Sequence, residues 1–226
     1  MRRILPSFIT ILNACCGLTA IYVNHPIYSS ILILLGSICD VFDGLAARWL
    51  QSQSEIGKQL DSLSDVITFG LAPSYLMYHH IFVYSRDSLY LSLLSCIILS
   101  IFAIIRLATF NVDTRQKDVF IGLPTPAMAL FFIGLVAHYY YQNEWLTEIN
   151  VMRFLLILPF LFAVMMILPI PMLSFKTVNV YWIPIILATP IFLYAFGWAG
   201  LSSTIIGYIL VSSVKFILDR YTSNAQ

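Results

Sequence analysis

The chain has 226 residues, 60% of them hydrophobic and 10% charged, with a net charge of +1 and a mean hydropathy of +0.87. A soluble domain carries roughly 25% charged residues, so this chain lacks the polar side chains to cover a water-facing surface, and lipid is its expected solvent. The near-neutral charge gives no basis for a nucleic-acid partner.

A helix needs about 20 residues to cross the hydrocarbon core, and the chain offers eight apolar runs. The first, 5–23, follows Arg2 and Arg3. It runs to Asn24-His25-Pro26 without a small-residue cleavage site, so it reads as a retained helix and not as a signal peptide. Spans at 27–48 and 59–80 come next, joined by a polar link around Gln51 to Glu55. Ser85-Arg86-Asp87-Ser88 precedes a span at 88–110, and the charged stretch Asp113 to Asp118 precedes one at 124–141. Spans at 151–169, 180–196 and 200–218 complete the series, the last two parted only by Gly197 to Gly200. The expected fold is all-α: a polytopic transmembrane helix bundle of about eight spans, forming one domain over residues 1–226.

Charge tests this map through the excess of Lys and Arg on cytoplasmic ends. With the N-terminus inside, Arg2, Arg3, Arg48, Lys58, Arg106, Arg115, Lys117, Lys176, Lys215 and Arg220 fall inside, and only Arg86 and Arg153 outside. The expectation is a multi-pass protein of a prokaryotic cytoplasmic membrane with both termini inside. His25, His79, His80 and His138 fall at outside ends and read as interfacial. Tyr139-Tyr140-Tyr141 and Trp145 read as an aromatic belt. Cys15, Cys16, Cys39 and Cys96 lie in apolar runs without CxxC spacing, which suggests small buried hydrophobes.

One feature opposes this apolar background. Asp40 and Asp43 sit in the last third of the second span, and Asp61 and Asp65 at the start of the third. An intramembrane carboxylate costs at least about 2 kcal/mol, so it needs a partner or a function. At 100° per residue, Asp43 lies roughly 60° to one side of Asp40 and Gly44 roughly 40° to the other, while Ala47 returns to within about 20°. Arg48 stands about 80° away. Gly57, Asp61 and Asp65 recur at i, i+4 and i+8 on the next helix. Two polar faces therefore converge at the inner membrane surface. Four converging carboxylates need a cation between them. Oxygen-only ligation selects Mg²⁺, Mn²⁺ or Ca²⁺, commonly completed by phosphate. Ion pairs with Arg48, Lys58 and Arg106 would also neutralise the acids, but would not account for the small residues on the same faces. A cation transporter, the reading from another class, would favour acids near the midplane and polar residues continuing outward; the outer halves of both spans are nearly apolar.

The run Asp40-x2-Asp43-Gly44-x2-Ala47-Arg48-x8-Gly57-x3-Asp61-x3-Asp65 resembles the complete signature of the CDP-alcohol phosphotransferases. Leu5-Pro6-Ser7 with Thr10, Asn13 and Gly17 is similar to the opening of the phosphatidylserine synthase branch. Arg106 to Val112, Gly122 to Ala127 and Ser174-Phe175-Lys176 resemble further segments of that branch. The resemblance runs from residue 5 to about 176 and implies a six-helix catalytic core, with 180–218 as additional spans. It implies metal-dependent transfer of a phosphatidyl group from CDP-diacylglycerol to L-serine, with release of CMP. Glycerol 3-phosphate or an inositol phosphate as acceptor, or an archaeal-type ether-lipid donor, are the alternatives within the same chemistry. By resemblance, Asp40, Asp43 and Asp61 hold one divalent ion, Mg²⁺ or Mn²⁺, and Asp65 helps hold a second and serves as base. Gly44, Ala47, Arg48 and Gly57 line the CDP pocket, and Thr10 and Asn13, at the inward end of the first span, are placed to contact CDP or an aspartate ligand. Arg106, Asn111 and Lys176 are the candidates for binding serine. The family also implies a homodimer.

Overall fold

The computed structural model describes residues 4–52, 54–82, 89–112, 120–141, 149–173 and 181–223. Arg2, Arg3, Arg86, Arg115, Lys117, Trp145 and Lys176 lie outside the described residues, as do the side chains of Arg153 and Arg220.

Helix α1 (Ile4–Val23) and helix α2 (Pro26–Trp49) form an antiparallel pair. Asn24 turns the chain between them at φ 46°, a left-handed conformation that asparagine tolerates better than most residues. His25 caps α2, its Nδ1 accepting the Ile27 N–H at 3.3 Å, and Pro26 begins the helix where no N–H is needed. The Ser29 hydroxyl donates to the Ala20 carbonyl at 2.7 Å and ties the two helices at this end. At its other end α2 closes in a Schellman-type turn. Gln51 adopts φ 49°, and the Ser52 N–H reaches back to the Ala47 carbonyl at 3.0 Å.

Helix α3 runs through 55–82 without a break. Ser54 caps it by accepting the Gly57 N–H at 3.0 Å, and Glu55 in the first turn suits the positive end of the helix dipole. An α segment (Glu55–Asp65) passes into a π turn (Val66–Leu71), a short α segment (Ala72–Met77) and a second π turn (Tyr78–Phe82). The first π turn leads into Pro73, which has no N–H to donate to a regular ladder.

Helix α4 (Leu89–Val112) packs on helix α6 (Ile149–Ile167). Strand β1 (Phe120–Ile121) pairs antiparallel with strand β2 (Pro171–Met172), Phe120 opposite Met172 and Ile121 opposite Pro171. Gly122 follows at φ 78° with its N–H on the Ile170 carbonyl at 2.9 Å. A side chain there would strike the Met166 carbonyl, so only glycine brings the chain into helix α5 (Thr125–Tyr141). Helix α5 is central: Met128, Phe132, Ile133, Val136 and Ala137 are fully buried. Helices α7 (Trp182–Phe196) and α8 (Ala199–Ser223) form a hairpin, turning at Gly197, and α8 packs along α5.

The eight helices stand where the eight apolar runs were expected, and the all-α bundle agrees with the sequence reading. Among the described residues α1, α2, α4 and α8 are long and apolar enough to cross a membrane, while α6 and α7 carry shorter apolar stretches. Ile97, Ile101, Ile104 and Ile105 on α4, with Ile186, Leu187 and Ile191 on α7, point outward. So extensive an apolar exterior is that of a membrane protein.

Candidate active site between two cavities

Residues at the C-terminal end of α2 and the N-terminal end of α3 build an acidic centre. Carboxylate oxygens of Asp40, Asp61 and Asp65 lie within 4.8 Å of one another. Asp43 stands against Asp61 and meets Thr10 of α1. Asn13, one turn further along α1, donates from Nδ2 to Asp65 Oδ1 at 3.1 Å. The i, i+4 spacing of Asp61 and Asp65 puts both on the α3 face that meets α1 and α2.

Two cavities meet at this centre. The first, about 580 Å³, is lined by Thr10, Asp43, Gly44, Ala47, Gly57 and Asp61 together with Ser7, Ser52, Ser54 and Lys58. A Cβ built on Gly44 would meet no protein atom within 4 Å, so protein packing does not demand glycine there, whereas a ligand against the backbone would. The second, about 570 Å³, is bordered by Asp40, Asp61 and Asp65 at its polar end. Its walls come from α4, α5, α7 and α8, with Leu107, Phe110, Leu130, Ile185 and Ile205 giving an apolar lining. Asp61 borders both cavities.

The buried cation of the second cavity is Arg106, 7% exposed. One guanidinium nitrogen donates to Thr125 Oγ1 at 2.6 Å. The group also faces Asp65 and Tyr208 and lies over the Phe110 ring at 5.8 Å. Asn111 borders the same cavity, but its amide donates to Ser62 Oγ at 2.6 Å and its carbonyl accepts from Lys58 Nζ at 2.8 Å. Tyr208 donates to the Leu173 carbonyl at 3.0 Å and stacks on Trp182.

Some expected residues are placed differently from the reading by resemblance. Arg48 does not line the first cavity; its Nε donates to the Gly44 carbonyl of its own helix at 3.0 Å. Asn13 is fully buried on Asp65, the second of its two expected contacts, and does not line the first cavity. Arg48 and Lys58, candidates for structural ion pairs, are turned to main-chain carbonyls. His25, His79 and His80 gather at the opposite end of the bundle, where His80 Nε2 meets Asn24 Oδ1 at 3.1 Å. Thr125, Tyr208 and Trp182 were not singled out from the sequence. Thr125 lies inside the segment Gly122 to Ala127, whose resemblance could have drawn attention to it; Tyr208 and Trp182 carry no local signal and fall beyond residue 176, where the resemblance read from the sequence ends.

The donor set suits a hard divalent cation. It is made of carboxylate oxygen alone, and Asp43 Oδ2 and Asp61 Oδ1 are buried without a hydrogen-bond partner among the described residues. The family model for CDP-alcohol phosphatidyltransferases matches residues 3–206.

The chain belongs to the CDP-alcohol phosphatidyltransferase family.

Within that family the chain is 39% identical over 134 residues to the CDP-diacylglycerol–serine O-phosphatidyltransferase of Bacillus subtilis, covering 58% of this chain and 74% of that protein. It is 41% identical over 127 residues to the protein of the same name from Methanocaldococcus jannaschii, covering 56% of this chain and 57% of that one. With the Helicobacter pylori protein of that name it shares 35% over 153 residues, 66% of this chain and 61% of the relative. The matches therefore span less than two thirds of the latter two relatives. Both cavities of the family member draw on the matched residues 3–206, and the second extends past them to Tyr208.

Proposed function

We propose that the chain transfers the phosphatidyl group of CDP-diacylglycerol to the hydroxyl of L-serine, giving phosphatidylserine and CMP. The observation that carries this reading is the meeting of two chemically different cavities at one set of four aspartates. The polar cavity, with Gly44 and Ala47 beside Asp43, suits a cytidine nucleotide whose phosphates approach the backbone. The second cavity suits the acceptor and nearby lipid: apolar walls surround Arg106, whose planar guanidinium can hold a carboxylate in a two-point contact. The activity for which the three relatives are named agrees with serine as acceptor.

Asp40, Asp43 and Asp61 would hold one divalent ion, Mg²⁺ or Mn²⁺, and Asp65 would help hold a second, which would supply positive charge to offset that of the diphosphate and of the departing CMP. Asp65 accepts the proton of the serine hydroxyl as that oxygen bonds to the phosphorus of the phosphatidyl group. A carboxylate is a weak base for a free alcohol, but bond formation to phosphorus acidifies the proton as it leaves. The bond from phosphorus to the bridging oxygen breaks, and its electron pair leaves with CMP. Asn13 holds Asp65 through the 3.1 Å bond. Arg106 anchors the serine carboxylate, and Asn111 shapes the wall. Lys176, the third acceptor candidate, lies outside the described residues. The excess of basic residues at the aspartate end supports a cytoplasmic site. The resemblance further supports a homodimer, which sedimentation in detergent would show as twice the protomer mass.

The test is CMP release by purified protein given CDP-diacylglycerol, Mn²⁺ or Mg²⁺, and serine, glycerol 3-phosphate or inositol phosphate in turn. Release with serine alone is the expected result. Release with another acceptor alone would move the reading within the family, and metal-dependent ion flux without CMP release would replace it by transport.

A further inference from the structure

Three helices converge on Thr68, a residue that borders neither cavity. It is the third residue of the first π turn of α3 and is fully buried. Its hydroxyl donates to the main-chain carbonyl of Asn13 at 2.9 Å. The Asn13 side chain in turn donates to Asp65 at 3.1 Å. Asp65 and Thr68 stand three residues apart on α3, so the two bonds close a short ring between α1 and α3. Sliding α1 along α3 would break both at once.

The neighbouring helices are shaped around this residue. A Cβ added to Gly17 of α1 would lie 2.7 Å from Thr68 Cα, and one added to Gly36 of α2 would lie 2.6 Å from Thr68 Cγ2. Neither distance is tolerated by real side chains, so both glycines let their helices close on Thr68. Gly36 also leaves room for Asn13 Oδ1, 3.0 Å from the same added Cβ. The branched side chain has few χ1 choices, and its methyl group in the space left at Gly36 aims the hydroxyl at α1. Single π turns inside α-helices are frequent at functional sites.

We propose that Thr68 is a positioning residue: it fixes the Asn13 main chain so that the Asn13 amide holds one oxygen of Asp65 and leaves the other for the reaction. The proposal rests on the reading of Asp65 as metal ligand and proton acceptor. Thr68 touches no substrate; it acts through Asn13.

The test compares Thr68→Val, which keeps the shape and removes the hydroxyl, with Thr68→Ser, which keeps the hydroxyl. Two readouts are taken on purified protein: binding of Mn²⁺ alone, followed by electron paramagnetic resonance, and the split between kcat and KM. Thr68→Val is expected to weaken Mn²⁺ binding and lower kcat by about tenfold each, the scale of one lost buried hydrogen bond, with both KM values within about twofold. Thr68→Ser restores both quantities. In an Asn13→Ala background, Thr68→Val adds no further loss, as expected for two residues acting as one unit. Wild-type Mn²⁺ binding and kcat in Thr68→Val would overturn the proposal, as would a Ser variant as impaired as the Val variant. Absence of Mn²⁺ binding by the unsubstituted protein would overturn the metal reading instead, and the kcat comparison would still decide for or against Thr68.

Discussion

The two cavities share their aspartates but are assembled in opposite ways. The polar one takes its walls from residues 6–61, three consecutive helices and the link between two of them. The other takes its walls from residues 37–208, on six helices that span most of the chain. On the proposed function, the nucleotide side inherits its geometry from local helical spacing, which is the same in any chain that keeps the signature. The acceptor side depends on how α4, α5, α7 and α8 pack. Its shape and charge can change without touching an aspartate, so the proposed roles would tie acceptor choice to the tertiary structure and phosphate chemistry to the signature.

Substitutions at four positions would break or sharpen this contrast. Asp61 borders both cavities, so Asp61→Asn should lower CMP release by about 10²–10³-fold or more while the protein still inserts and folds; full activity of the purified variant would sink the metal-site reading. Arg106→Ala should act on one side only, raising the serine KM by about 10–100-fold, the scale of a charge-assisted hydrogen bond. If it changes only the KM for CDP-diacylglycerol, the two cavities have been assigned the wrong way round. Gly44→Ala should do the reverse, raising the KM for the nucleotide lipid and not that for serine. Because its Cβ meets no protein atom, the same change should also stabilise α2 by about 1 kcal/mol in thermal unfolding, as alanine replaces glycine in a helix. Tyr208→Phe removes the bond to the Leu173 carbonyl and should raise the serine KM by about two- to tenfold, with nucleotide affinity unchanged.

Much of the first cavity was legible in the sequence because a helix turns spacing into direction. Asp43, Gly44 and Ala47 on α2, and Gly57 and Asp61 on α3, share walls as their positions require. Arg48 shows the limit of that logic. Its angular position was compatible with the wall, but a long side chain chooses its own partner, here the Gly44 carbonyl one turn back. The start of α3 at Glu55 was also readable in principle, since Ser54 is a standard capping residue four positions ahead of Lys58. The second cavity was far less legible. Arg106 and Thr125 are 19 residues apart and on different helices, and Gly122 turns the chain just before the second of them. Tyr208 reaches the same region from the last helix, where hydropathy reports a span and nothing about which side faces inward. The first π turn coincides with the close packing around Thr68 and precedes Pro73, and no apolar periodicity announces it.

The placement of Asp61 on the wall common to both cavities has a thermodynamic consequence. If the two proposed substrates occupy the two compartments, a ligand that draws this carboxylate toward one alters what the other offers, and their binding would be coupled. Linkage makes the effect reciprocal: whatever factor the nucleotide lipid applies to the affinity for the acceptor, the acceptor returns to the nucleotide lipid. On the same proposal, departure of CMP would change the hold on the newly formed phospholipid through that one shared side chain.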